Sequence, residues 1–274
     1  MKFFKKLNFF YLGLSLLIFF SCENQLTKAP LDAPSTANFF TSQNELEVAI
    51  NGVYSTLWWR QGGIPGVLDL DNGTDIGFLR GGGGNDNLKD VSEGTASANT
   101  AIFENTWNHF YVSISKANNI LNNLDKADDA SQEFLDRVEG EARFLRAYSY
   151  TFLTELYGDV PLLVEIPTLE ESDVGRTPKE DVVDQIITDL NFAADVLPLA
   201  WSGDDEGRAT KGAALALKAR VALYNEQYEV SANAAQEVMN SGVYELFPDY
   251  EGQFQFRGER SPGVILDAPY QRGV

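Results

Sequence analysis

The sequence predicts a mostly α-helical protein whose helices pair into hairpins, and three observations carry that prediction. Apolar residues recur at three-four spacing in segment after segment, the period of a helix with one buried face. Short turns rich in Asp, Gly and Asn separate these segments, as antiparallel neighbours require. Alanines cluster at 213, 214, 216, 219 and 222, where small side chains let helix axes approach closely, as in tetratricopeptide-type (TPR) repeats. The repeat period itself is degenerate and does not by itself establish an array.

The first helix opens at Ser42-Gln43-Asn44-Glu45, a capping-box spacing, and continues with Leu46, Ala49, Ile50, Val53 and Leu57 on one face. Residues 60–101 are rich in Gly, Asp and Asn and poor in apolar residues, which predicts a long irregular loop with a short strand over 66–70. A regular stripe follows: Phe103, Trp107, Phe110, Ile114, Ala117, Leu121 and Leu124. After the acidic turn "DKADDASQ", Phe134, Val138, Ala142, Leu145, Ser149, Phe152 and Leu156 form the second arm of a hairpin. Gly158 supplies its left-handed cap and Pro161 stops it. Thr177-Pro178-Lys179-Glu180 reads as another capping box, with Val183, Ile186, Leu190, Ala193 and Leu197 behind it and Pro198 as the stop. Two more helices are expected over 211–224 and 227–240, with Gly242 closing the second. The remainder reads as a loop and a strand around Val264 to Leu266, and its stop without a closing element predicts a truncated protein.

The N-terminal end has a different character. Lys2, Lys5 and Lys6 precede an apolar run from Phe9 to Phe20, too short to span a bilayer and patterned like an export signal. The single cysteine, Cys22, follows Ser21 directly. A structural thiol fits poorly at the edge of a cleaved segment. An intermolecular disulfide is open to it in an oxidising compartment. A bacterial lipoprotein signal, with Cys22 acylated as the first mature residue, fits best, although Phe19 stands where leucine is usual. Residues 1–21 are then the signal peptide and 22–41, with Pro30 and Pro34, a tether. The net charge is −19, and removing three leader lysines makes the rest more acidic still. Phosphate backbones and anionic headgroups repel such a surface, so nucleic acid is a poor partner and membrane location must come from the lipid. The composition, 44% hydrophobic and 12% aromatic, fits a globular fold rather than a disordered chain.

Four stretches together resemble the SusD/RagB family of outer-membrane lipoproteins: "WNHFYVSISKANNILNNL", "EARFLRAYSYTFLTELYGDVPLL", "GRTPKEDVVDQIITDLNFAADVLP" and "GRATKGAALALKARVALYNEQYEVSANAAQEVMNSGVYEL". "ERSPGVIL" resembles the family's first strand after the helices. The resemblance implies TPR-like helical hairpins in a superhelical bundle over 42–247, with 248–274 the start of a C-terminal region that is otherwise missing. It implies a lipid-anchored protein of the outer membrane, facing the cell surface. It implies capture of a nutrient, an oligosaccharide or sometimes a peptide, in partnership with a SusC-like TonB-dependent transporter. No cofactor, metal or catalytic residue is implied.

Sugar capture needs aromatic faces plus amides, carboxylates and guanidinium groups for the hydroxyls. The irregular region offers Trp58, Trp59, Asn72, Asp75, Phe78 and Arg80, with Asn85 nearby. One of the two tryptophans can equally be packing, because both follow a helix end. Asp69, Asp71 and Asp75 resemble a calcium loop, but Arg80 stands where its bidentate glutamate belongs. The only histidine, His109, has no partner for zinc or for a Ser-His-Asp triad and reads as a helical packing residue. Gly81 to Gly84 lack the Lys-Ser/Thr of a phosphate loop. Arg143, Arg146, Glu139 and Glu155 read as structural, with an arginine able to clamp a neighbouring helix or loop, and Tyr148, Tyr150, Tyr157 and Tyr224 as core residues with tethered hydroxyls. Two other functions stand beside nutrient binding. One is a helical protein- or peptide-binding module without a glycan ligand. The other is a glycoside hydrolase, which would need a carboxylate pair at a defined separation that no motif isolates.

Overall fold

The computed structural model describes residues 39–57, 73–77, 86–168, 173–255 and 261–266. Seven α-helices stand among them: α1 (Gln43–Tyr54), α2 (Asp86–Ser92), α3 (Ala101–Leu121), α4 (Gln132–Tyr157), α5 (Lys179–Val196), α6 (Lys211–Tyr224) and α7 (Tyr228–Asn240). From α3 onward each packs against its successor in sequence, and α1 lies against both α3 and α4. This is the hairpin array expected for a mostly α, TPR-like chain. None of the described helices is long and apolar enough to cross a membrane.

The core follows the stripes, with instructive shifts. Leu46, Ile50 and Val53 of α1 are fully buried, as are Ile186, Leu190 and Ala193 of α5. On α3 the buried face begins at Ile102 and Thr106, and Phe103 stands 37% exposed. The stripe read from Phe103 is therefore rotated by one residue at its start. Only the partner α4 decides which neighbour of a mixed pair turns inward. Tyr150 is wholly buried as expected, whereas Tyr224 is 60% exposed at the α6–α7 turn and is not a core residue.

Helix starts use partners that local sequence does not reveal. The Ser42 hydroxyl accepts from the Glu45 amide, but the Glu45 carboxylate reaches Thr41 (N–H at 2.8 Å) rather than Ser42. At α5 the expected threonine cap is absent. Thr177 instead pairs antiparallel with Val160, exchanging two backbone bonds, and Asp159 accepts from the Lys179 amide at 2.9 Å. The carboxylate just beyond α4 thus caps α5, and the bridge closes the excursion from 161 to 176 at its base. Within 60–101, α2 breaks what reads as continuous irregular chain. No strand forms over Val264 to Leu266. Its neighbourhood supplies a turn bond, from the Val264 amide to the Ser261 carbonyl, and one bond to another segment, from the Glu245 amide to the Pro262 carbonyl, whereas a strand needs a continuous partner edge. The expected strand over 66–70 lies outside the described residues.

Two close approaches rest on glycine. At Gly140, in the middle of α4, an added Cβ would lie 2.5 Å from a Val196 methyl and 3.1 Å from Leu197. The end of α5 crosses α4 there with no room for a side chain. Gly140→Ala is therefore expected to destabilise the fold by about 1–3 kcal/mol, the usual cost of overpacking, although alanine is the better helix former. A urea midpoint equal to or above that of the parent would contradict this crossing. At Gly212 the ring of Tyr244 occupies the corresponding space, and the Tyr244 hydroxyl bonds Thr210 at 3.0 Å.

A charged cluster joins α1, α4 and the α5–α6 connection. Glu141, with no exposed surface, accepts from Arg137 (2.6 Å) and Arg208 (2.9 Å). Both arginines also reach Glu47 of α1, and Arg208 bonds Asp205 and Asn51. Burial alone would lower the Arg208 pKa, but Glu141 and its neighbours raise it above the usual value, so the guanidinium stays charged. These residues are therefore structural ion pairs, and their charges are satisfied within the protein.

Candidate functional site

The excursion after α4 lies along α3 because four buried or half-buried side chains hold it there. Asn118 of α3 donates to the Leu163 carbonyl at 2.8 Å. The Tyr150 hydroxyl accepts from the Leu163 amide (2.6 Å) and donates to its carbonyl (3.0 Å). Tyr111 donates to the Pro161 carbonyl at 2.7 Å, and Arg146 donates to the Val164 carbonyl at 3.0 Å. Burial pushes the Tyr150 phenol up to about 12 and that of Tyr111 higher, so both keep the protons these bonds require.

Arg146 is the hub. It grips the fully buried Asp189 of α5 with two parallel bonds of 2.8 Å and gives another to the Asn118 side-chain oxygen at 2.7 Å. Arg143 and Gln185 also donate to Asp189, at 3.2 and 3.1 Å. Arg143 pairs with Glu139, and Arg220 pairs with Glu155. Arg143, Arg146 and Glu155 thus clamp neighbouring helices, while Glu139 pairs with Arg143 within α4.

Between the excursion and α3 runs a groove of about 230 Å³, lined by Trp107, Tyr111, Pro161, Leu163, Pro167 and Val174. Trp107 and Tyr111 lie one turn apart with ring centroids at 5.0 Å. Tyr157 meets Trp107 edge-on and donates to the Phe103 carbonyl at 2.7 Å. A second concavity, about 300 Å³, lies between the α5–α6 connection and residues 261–266. Several of its polar groups are already engaged: the Trp201 indole donates to the Ala209 carbonyl, Thr210 bonds Tyr244, and Arg208 is held by carboxylates. That concavity is a packing seam, while the α3 groove presents aromatic surface.

Of the residues singled out in the sequence, Asp75 sits on an exposed turn over 73–77 beside Ile76, which is 82% exposed. Trp58, Trp59, Asn72, Phe78 and Arg80 lie outside the described residues, as do Cys22, Asp69 and Asp71. Among the described residues no cluster of His, Cys, Asp and Glu is arranged to hold a metal ion. His109 is half-buried, with Nε2 2.7 Å from the Thr56 carbonyl, which fits a neutral ring donating from Nε2. Burial lowers its pKa below the usual 6.5, only partly countered by that bond. The unfolded chain then takes up a proton near pH 6.5 that the folded one refuses. The stability His109 confers is thus present above that pH and lost as pH falls through the folded value. Replacing it by Gln should flatten the pH dependence of the unfolding midpoint between pH 7 and 5, and an unchanged slope would contradict the assignment. Sequence reasoning placed Trp107 on the packing stripe and passed over Tyr111. The only sequence signal for the groove is the spacing of Trp107 and Tyr111 by four residues, since Pro161 and Pro167 meet them only in the fold.

Comparison with known proteins places this geometry. The family model described as "Starch-binding associating with outer membrane" matches residues 84–223, from just before α2 to the end of α6. A SusD-like protein of Formosa agariphila is 30% identical over 267 residues, covering 93% of this chain and 50% of its own. A SusD-like carbohydrate binding protein of Bacteroides fragilis superposes with a TM-score of 0.70 at 27% identity, over 78% of this chain and 44% of that one. A laminarin binding SusD-like protein superposes with a TM-score of 0.76 at 25% identity, over 82% of this chain and 51% of that one. The chain spans about half the length of the curated relatives it matches. The matched segment takes in five of the seven described helices and the excursion that walls the groove, and with it the chain belongs to the SusD-like family.

Proposed function

We propose that this chain is the helical part of a cell-surface lipoprotein that binds an oligosaccharide nutrient and passes it to a SusC-like TonB-dependent transporter in the outer membrane. The observation that carries the reading is the family match over 84–223, whose description is of starch binding at the outer membrane. The laminarin binding relative supports a glycan as the ligand class. In this reading Cys22 carries the lipid, and Trp58, Trp59, Asn72, Asp75, Phe78 and Arg80 contribute to the ligand surface. The chain acts by binding, not by catalysis, since the ligand must reach the transporter intact.

Two measurements test it. A glycan array and calorimetry on residues 23–274 should show saturable binding to a glucan such as laminarin or starch. Silence on every glycan, together with capture of peptides, would favour the interaction-module reading instead. Mass spectrometry of the membrane-extracted chain should show a diacyl or triacyl mass on Cys22, and co-purification should recover a TonB-dependent barrel. An unmodified chain in the soluble fraction with its leader attached would overturn the anchoring half of the proposal.

A further inference from the structure

We propose that the groove between α3 and the 161–176 excursion seats one pyranose ring of a bound neutral oligosaccharide, with its apolar C–H face against Trp107. This rests on the glycan-binding reading above and gives it a location among the described residues.

Four features support the assignment. The groove, at about 230 Å³, is suited to a single ring rather than a long chain, and its walls are aromatic, prolyl or aliphatic. Flat apolar surface on one side of a ring, with a few polar groups at the edge, is how sugar faces and hydroxyls are separately satisfied. Polar capacity at the edge is also unspent. Neither the Trp107 indole N–H nor the Arg176 guanidinium makes a hydrogen bond or ion pair among the described residues. Arg176 is exposed and close enough to act electrostatically on the Tyr111 phenol. The Tyr111 hydroxyl spends its proton on the Pro161 carbonyl, so its oxygen faces the groove as an acceptor. A donor and an acceptor thus belong to the lining residues themselves, with a second donor near Tyr111, matching hydroxyls that both give and take protons. Finally, the wall is preformed. Asn118, Tyr150 and Arg146 fix Leu163 and Val164, and the Val160–Thr177 bridge closes the base of the excursion. Little ordering remains to be done on binding, which is what raises affinity at a small site.

The seam beside Trp201 is larger, but its Trp201 indole, Thr210 and Tyr244 are already engaged in bonds within the protein.

The test uses the full chain with soluble laminarin and soluble starch as probes, read by calorimetry. Trp107→Ala is expected to weaken binding at least tenfold and Trp107→Phe less, because a smaller aromatic face is kept. Val174→Arg supplies the independent arm. Val174 is an exposed wall residue, so arginine there should block the groove and weaken binding by a similar factor while the melting temperature is unchanged. If the parent binds a probe and the Val174→Arg and Trp107→Phe variants bind it equally well, the groove assignment fails while the glycan-binding reading stands. If the parent binds neither probe nor any glycan on an array, both fail together.

Discussion

Asp189→Ala is expected to destabilise the protein by about 3–5 kcal/mol, the cost of leaving a buried charge without its counter-ion. Asp189 has no exposed surface, and Arg146, which it holds bidentately, is 4% exposed at its side chain. Alanine removes the carboxylate and leaves the guanidinium with only the Asn118 oxygen and the Val164 carbonyl. Water cannot rescue it, because the pair sits where α3, α4 and α5 meet. For a domain of this size the loss corresponds to roughly 10 °C in melting temperature. The effect should also spread. Arg146 holds Val164, so the excursion and the groove it walls should loosen, and hydrogen exchange at the Leu163 amide should quicken. A double replacement, Arg146→Met with Asp189→Leu, separates the cost of an orphaned charge from the worth of the pair and should recover much of the loss. A denaturant midpoint for Asp189→Ala within 1 kcal/mol of the parent would mean the clamp is not a load on the fold.

Glu141→Ala is the second large effect, expected at about 3 kcal/mol, the lower end of the range for breaking a buried pair. Glu141 is as buried as Asp189, but its partners are less isolated. Arg137 and Arg208 keep Glu47, and Arg208 keeps Asp205 and Asn51, so some neutralisation survives. The distinguishing signature is local. Because Arg208 bridges to α1, the variant should release α1 before the α3–α5 layers, visible as early exchange of the Ile50 and Val53 amides. Glu141→Gln keeps an acceptor but no charge and should fall between the parent and the alanine variant. A single cooperative transition with α1 and α4 exchanging together would show that α1 is held by its apolar face alone.

Which parts of this architecture the sequence reveals follows from the range of the interactions involved. Burial of Leu46, Ile50 and Val53, or of Ile186 and Leu190, repeats at the helical period and needs no partner to be identified. The helix stops at Gly158 and Gly242, both with positive φ, are equally local. Thr177 misleads because the same residue type serves caps and bridges, and the choice depends on Val160, seventeen positions earlier. The Arg146–Asp189 and Arg208–Glu47 pairs join residues 43 and 161 apart, for which a single sequence holds no pattern. The groove escapes for the same reason. Trp107 fits a packing stripe and Tyr111 lies off it, and only contact with Pro161, Leu163, Pro167 and Val174 brings the two into one groove.

The reach of Arg208 has a consequence for how the chain is made. During synthesis α1 emerges early, yet the groups that complete its polar face, Arg208 and the Ala209 amide that donates to Tyr54, arrive more than 150 residues later. Vectorial folding from the N-terminus can stack α3, α4 and α5 as each emerges, because those partners are successive. The first helix can rest on them by its apolar stripe and the Arg137–Glu47 pair, but must wait for the α5–α6 connection to be fully latched. A stalled nascent chain ending before Arg208 should therefore show protected later helices around an incompletely seated first one.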